Sequence, residues 1–395
     1  MISPGPGVGL VLQALRRRYG GVSRDRVAEA AALVQDWDAV FRVAHIHAVT
    51  PLLHQGLTDV AIPDPARTRL EDDVQANRVR NLALTAELAR LLDRFRRDGL
   101  RAVPYKGPVL AAQAYGDVAL REFVDLDILL RPDEVDRARV LMQADRYREP
   151  YPLTPRRWRH MLANGHDLKL TRDERHVVEL QWAVINRTEG ARPELEPMLE
   201  RATTTDVAGR PMPTLAAEDL LLTLCVHGSV HLWERLAWAC DVAELLRARP
   251  GLDVELAGRR AAEVGARRVL MLGVEMAGRI TGHEPPPRLR AAAAADPTVQ
   301  RLADDLVEMT LARTGDGPHH GDAPAGTYLR LLLAMRDTKR DRRRQLRRQV
   351  LTPSASDWIS RPLPDRLFPA YYLLRPARLA RSYAFGDRRP GDVAE

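Results

Sequence analysis

Residues 101–131 read RAVPYKGPVLAAQAYGDVALREFVDLDILLR. Toward the end of this stretch Val124, Leu126 and Ile128 alternate with Asp125 and Asp127. A period of two predicts a strand with both carboxylates on one face, where alternate residues stand roughly 6–7 Å apart. Carboxylates that close repel each other unless positive charge lies between them. Hard oxygen ligands of this kind suit Mg²⁺, which keeps part of its water shell and takes further ligands from phosphates. The alternative is a strand edge carrying two solvated acids. Upstream, residues 102–105 predict a short strand, Lys106-Gly107-Pro108 a turn, and 109–115 an apolar helical stretch. Gly at a strand-to-helix turn lets backbone N–H groups approach an anion. Lys106 adds a point charge, and it is one of three lysines (with Lys169 and Lys339) against 60 Lys and Arg together. Arg121, four residues before Asp125, is placed to reach a phosphate or to neutralise the aspartates.

A two-metal site for phosphoryl transfer needs a third acid. Residues 176–185, HVVELQWAVI, form a second strand-like run with Glu179 set among apolar side chains. A carboxylate on a buried strand requires a partner. Asp125, Asp127 and Glu179 together form a triad able to hold metal, and Glu179 is also placed to deprotonate a hydroxyl.

These elements resemble the polymerase-β-type nucleotidyltransferase superfamily. They are most similar to an uncharacterised bacterial branch reading Lys-Gly, then Arg…Asp-Leu-Asp-Leu-Leu, then an acid-x-His-Trp strand. Here the elements stand as Lys106-Gly107, Arg121…Asp125-Leu126-Asp127-Ile128-Leu129, and Glu179-Leu180-Gln181-Trp182. The likeness continues through residues 220–241 and returns at 351–358 and 371–376. Two departures stand out. The superfamily's Gly-Ser or Gly-Gly turn is Lys-Gly here, and the strand's usual His is Gln181. The resemblance implies an α+β fold, with a polymerase-β-type mixed sheet, N-terminal helices and a large C-terminal helical region. It also implies Mg²⁺-dependent transfer of a nucleoside monophosphate from an NTP to an acceptor hydroxyl, releasing pyrophosphate. In that scheme Asp125 and Asp127 bridge two Mg²⁺ ions, and Glu179 completes a metal site and receives the acceptor proton. Lys106 and the Gly107 backbone hold the triphosphate with Arg121 assisting, while His166, Gln181, His227 and His231 are candidates for the acceptor site. The acceptor is expected to be a small molecule or peptide product. The rival readings are a tRNA-modifying nucleotidyltransferase toxin and a non-catalytic nucleotide-binding scaffold.

The chain's 395 residues predict two to three domains. The expected division is a helical region at 1–100, a core at 101–214 and a second helical region at 215–395. Hydrophobic residues make up 45% but aromatics 5%, so Leu, Val and Ala must do most of the packing. A net charge of +7 favours anionic partners, nucleotides among them. The Arg-rich, Lys-poor usage reads as that of a GC-rich genome. Cys225 and Cys240 lie in apolar helical segments, as free thiols do in a reducing cytoplasm. The apolar run at 8–15 is short and precedes Arg16-Arg17-Arg18, so neither an export signal nor a membrane span is expected.

Helices are expected over 9–58 and 69–98, the latter with Leu82, Leu84, Leu88, Leu91, Leu92 and Phe95 on one side. His45, His47 and His54 lack interleaved carboxylates and read as structural. Helices at 134–144 and 158–163, strands at 166–171 and 176–185, and a hairpin around 207–211 complete the core. His166 reads as facing substrate or capping its strand. His227 and His231, spaced i, i+4, share a helix face with Trp233 or Arg235. Gly228 stands where a zinc-protease HExxH would need Glu. Residues 315–326 read as a loop, 367–384 as an amphipathic segment packed on the body, and 387–395 as a frayed tail. The basic run 336–348 reads as a solvated helix making weak, non-specific contact with nucleic acid.

Overall fold

The computed structural model describes residues 5–151, 153–173, 175–314 and 325–385. The loop expected at 315–326 falls largely outside these residues, and the tail at 387–395 wholly so. The fold is α+β. A four-stranded sheet is made of β1 (Val103–Pro104), β2 (Asp125–Leu129), β3 (Asp167–Arg172) and β4 (His176–Gln181), in the order β1-β2-β4-β3. β1 is an antiparallel edge strand, with Val103 opposite Leu129. It is shorter than the expected strand because Pro104 has no N–H for a longer ladder. β2 and β4 are parallel, and their register sets Asp127 opposite Glu179. β3 returns antiparallel to β4, with Lys169 opposite Glu179. β4 ends at Gln181 rather than running on to 185, although Trp182 still donates its N–H to the His166 carbonyl at 2.8 Å. β5 (Thr203–Val207) and β6 (Arg210–Thr214) form a separate hairpin. Its two-residue turn, Ala208 (φ 54°) and Gly209 (φ 82°), has the left-handed backbone that tight hairpins use.

The helix Asp64–Arg97 backs the sheet through Leu84, Leu88, Leu91 and Phe95, spaced i, i+4, i+7, i+11. Leu82 is two positions off this stripe and 46% exposed, so it does not belong to the apolar face expected of it. The same helix carries two buried asparagines. Asn77 donates to the Ala119 carbonyl at 3.0 Å, and Asn81 donates to those of Val118 and Arg121 at 2.6 and 2.7 Å. Satisfying these carbonyls holds the chain that leads into β2. The helices Val135–Ala144 and Pro155–Asn164 fill the crossover between β2 and β4. The second begins three residues earlier than expected, with Thr154 capping its first turn and Pro155 at its start.

The helices before the sheet and those from Ala217 to Leu311 pack into one core. Arg16 donates to the carbonyls of Arg279 and Ile280, and Arg18 pairs with the buried Glu244. A small aromatic cluster of Trp358, Phe368 and Tyr371 organises the C-terminal helices, as expected of a segment that packs on the body. Among the described residues no helix is long and apolar enough to cross a membrane.

His47 illustrates how this packing fixes a charge state. Its Nδ1 accepts from the Leu236 N–H at 3.3 Å, and its Nε2 lies 3.0 Å from the Arg313 carbonyl. Those partners require the neutral ring with the proton on Nε2, and burial lowers its pKa from 6.5 to about 4. The folded pKa lies below the unfolded one, so this stabilisation is complete above pH 6.5 and is lost as pH falls toward 4. Linkage puts the loss at about 2 kcal/mol between pH 7 and pH 5. Urea unfolding of the wild type and His47→Gln at both pH values tests this. The wild type's advantage should shrink by that amount at pH 5, and an advantage constant across the range refutes the assignment.

Candidate active site

The triad is assembled by strand register. Asp125 and Asp127 alternate on β2, and Glu179 sits opposite Asp127 on β4, so all three carboxylates rise from one face of the sheet. The apolar alternates Leu126 and Ile128 are buried on the other face. Val124 lies before the strand and is exposed. Lys106 reaches over from the turn after β1. Its Nζ lies 3.2 Å from Asp127 Oδ1 and 3.3 Å from His227 Nδ1. Gly107, at φ 53°, adopts a left-handed backbone that disfavours other residues. A side chain there would also come within 3.4 Å of the Asp125 carbonyl. The chain continues into the helix Gly107–Leu110 and a π-helical turn, Ala111–Tyr115, where the sequence predicted helix.

Gln181 binds two members of the triad at once. Its Nε2 donates to Asp127 Oδ1 and to Glu179 Oε2, both at 2.9 Å. Its Oε1 accepts from the buried Tyr105 hydroxyl at 2.7 Å. That hydroxyl fixes which way the amide faces and so aims the NH₂ group at the carboxylates. Gln181 thus joins two carboxylates of the triad to Tyr105.

The charges are tightly coupled. Burial, then Asp127, pushes the Asp125 carboxyl up, while Lys106, Arg121 and Lys169 pull it back. Burial, then Asp127, Asp167 and Asp125, raises Glu179 well above the carboxylate range. Burial works against the Lys106 ammonium, yet Asp127, Tyr105, Glu179 and Asp125 raise its pKa on balance. Three carboxylates on one face of the sheet are hard oxygen donors of the kind that fit a divalent cation such as Mg²⁺. Among the described residues no three His, Cys, Asp or Glu side chains are drawn together around a common point. Lys106 Nζ and Gln181 Nε2 supply the positive dipoles there instead.

Arg121 is held by a partner distant in the sequence. Its Nε and Nη2 donate to Asp241 at 2.8 and 2.9 Å, and Asp241 also accepts from the Tyr115 hydroxyl at 2.7 Å. Two donors committed to a buried carboxylate are not available to grip a phosphate. Arg121 reaches the aspartates through space instead, and it ties the sheet region to the helix Leu236–Ala248.

The two histidines meet Lys106 through a turn. Leu232 (φ 50°) and Trp233 (φ 56°) end the helix Ala217–Val230 and send the chain back as Leu236–Ala248. Trp233 is buried against Gly228 and Gly273, not on the histidine face where the spacing put it. Trp238 takes that place. The His227 and His231 rings are 4.6 Å apart, and Trp238 lies 5.1 and 5.2 Å from them. Burial, then Lys106, lowers the His227 pKa well below normal. His227 is therefore neutral, with Nδ1 accepting from Lys106 and the proton on Nε2. His166 Nδ1 lies 3.0 Å from Asp167 Oδ1, beside Gln181 on the neighbouring strand.

The sequence reading did not single out Tyr105, Lys169, Asp167 or Trp238. Lys169 and Asp167 were within reach of it, because the turn at 172–175 fixes the hairpin register and counting back sets Lys169 opposite Glu179 and Asp167 opposite Gln181. Tyr105 and Trp238 depend on packing that no local pattern encodes.

The sheet, its triad and the Lys106 turn lie within residues 34–282, the span matched by the family model described as uncharacterised nucleotidyltransferase. No curated protein matches the chain. The matched span is well over half of the 395 residues, and the chain belongs to this nucleotidyltransferase family.

Proposed function

We propose that the protein transfers a nucleoside monophosphate from an NTP to an acceptor hydroxyl with Mg²⁺ and releases pyrophosphate. The observation that carries this reading is the in-register pair Asp127–Glu179, with Asp125 two residues upstream and Lys106 alongside. Asp125, Asp127 and Glu179 would hold the metal. Bound Mg²⁺ supplies neutralisation of the phosphate charge and alignment of attacking and leaving oxygens. Lys106, on a short stem from the β1 turn, takes the triphosphate on leaving Asp127, with the Gly107 backbone beside it. Glu179, opposite Asp127 on β4, receives the acceptor proton. The acceptor hydroxyl approaches from the β3 side, where His166, Asp167 and Lys169 stand next to Glu179 and Gln181. A small molecule or peptide product carries that hydroxyl.

A second reading, an RNA acceptor, is favoured by one observation. The basic helix is Lys339–Leu351. Gln345 on this helix donates to the Glu189 carbonyl at 3.0 Å, which lays it against the segment after β4. Burial, then Arg344, Arg187, Arg192 and Arg347, lowers the Arg348 pKa, so arginines from both segments crowd together. Arg336 is 4% exposed and stands apart from them, packed against Gly190.

One experiment tests both readings. The protein is incubated with α-labelled NTPs, Mg²⁺ and separate RNA, protein and small-molecule fractions. Label is expected outside the RNA fraction. Gln substitutions at Arg187, Arg192, Arg344, Arg347 and Arg348 should leave that transfer intact. They should abolish only an RNA binding that falls with salt at a log–log slope near −0.7 per phosphate contact. Loss of transfer with NTP affinity retained would install the RNA acceptor, and absence of label from every NTP would refute nucleotidyl transfer itself.

A further inference from the structure

Lys106 has two neighbours of different chemistry. On one side is the carboxylate face, through Asp127 at 3.2 Å. On the other is a group of π-systems, through His227 at 3.3 Å. His227, His231 and Trp238 pack within 4.6 to 5.2 Å of one another, and Arg235 lies over the Trp238 ring at 5.9 Å. All three rings are half-buried rather than enclosed. This distinguishes Trp238 from Trp158, Trp182, Trp233 and Trp358, which are buried in the cores. A half-buried cluster of this kind next to a charged centre leaves part of its aromatic surface uncovered.

We propose that His227, His231 and Trp238 form the stacking shelf for the nucleobase of the incoming NTP, rather than part of the acceptor site. The inference rests on the nucleotidyltransferase reading above. If Lys106 takes the triphosphate, the nucleoside must extend from a point beside it. Two aromatic neighbours of Lys106 are described: the Tyr105 ring, 5.1 Å from Nζ, is buried, whereas the shelf reached through His227 is half-buried. The acceptor then keeps the opposite, β3 side of Glu179. The shelf's chemistry suits a base. Every base presents a π-face, so stacking tolerates any of them, and a Trp supplies the largest partner. The neutral His227 offers an Nε2–H donor at the shelf edge, while its Nδ1 is spent on Lys106. Arg235, packed on Trp238, offers a guanidinium plane as a further stacking surface. Stacking grows with the size of the π-face, so such a shelf binds purines more tightly than pyrimidines and discriminates little between A and G.

The test uses intrinsic fluorescence of the full chain in Mg²⁺ buffer, titrated separately with ATP, GTP, CTP and inorganic tripolyphosphate. The variants are Trp238→Leu and Trp238→Phe, with Trp37→Leu as a control at the other half-exposed tryptophan. ATP and GTP should quench the wild type and Trp37→Leu, while tripolyphosphate should bind without quenching. Trp238→Leu should lose the quench, and its ATP affinity measured by calorimetry should fall roughly 5- to 100-fold, the range for one base stacked on an aromatic ring. Its tripolyphosphate affinity should not change, which also reports that the variant is folded. Trp238→Phe should lose the signal but recover most of the affinity. Undiminished ATP affinity in Trp238→Leu, or quenching by tripolyphosphate as strong as by ATP, overturns the shelf. Failure of the wild type to bind ATP or tripolyphosphate at all would instead refute the nucleotidyltransferase reading on which the shelf depends.

Discussion

Asp127→Asn and Asp125→Asn are each expected to abolish Mg²⁺-dependent NTP binding while the fold survives. Asparagine keeps the size of Asp127 and an oxygen able to accept from Lys106 and Gln181, which both bond Oδ1 in the native chain. It removes the charge and turns the other oxygen into an NH₂ donor. Lys106 does not become an isolated buried cation, because Glu179 and Asp125 also act on it. The loss therefore falls on ligand binding rather than on packing. A metal bridging carboxylate and phosphate contributes several kcal/mol of charge stabilisation, so affinity should drop on the order of 10²–10³-fold. Calorimetric titration with Mg·ATP, together with a thermal melt of each variant, makes the comparison. Melting points close to wild type with unchanged Mg·ATP affinity in both variants would end the metal-site reading.

The triad was legible in the sequence for a definite physical reason. A strand's period of two turns an Asp-x-Asp spacing into a shared face, and a lone Glu in a second apolar run marks a carboxylate on the neighbouring strand. Those are local properties. The partners of these residues are not local. Arg121 was read as reaching a phosphate or neutralising the aspartates four and six residues on, yet its hydrogen-bond partner is Asp241, 120 residues on. Gln181 looked like a departure that weakened the site, since Gln does no acid–base chemistry. Its value lies in two donors and one acceptor used together, which shows only when Tyr105, Asp127 and Glu179 are in place around it.

Helix faces followed the same rule. The spacing of Leu84, Leu88, Leu91 and Phe95 was readable, whereas the counterpart of His227 and His231, expected at Trp233 or Arg235, is Trp238. Helical spacing assumes that the helix continues. Two consecutive left-handed residues, Leu232 and Trp233, stop it, and neither residue type announces such a backbone. Trp238 enters from the next helix by that turn.

Glu179→Gln separates the base from the ligand. The substitution preserves the side chain's shape and leaves an oxygen to accept from Gln181 Nε2, so the Tyr105–Gln181–Asp127 connection stays intact. It also relieves a carboxylate that burial and three neighbouring acids disfavour, so folding stability should not fall. If Glu179 receives the acceptor proton, turnover should drop roughly 10²–10⁴-fold with little change in NTP affinity, and added Mg²⁺ should not restore it. If Glu179 serves chiefly as a metal ligand, the loss should be accompanied by a higher Mg²⁺ requirement and should recede as Mg²⁺ is raised. Initial rates across a Mg²⁺ series, with NTP affinity measured in parallel, distinguish the two. Near-wild-type turnover at ordinary Mg²⁺ would assign Glu179 to the architecture of β4 and leave the two aspartates as the working acids.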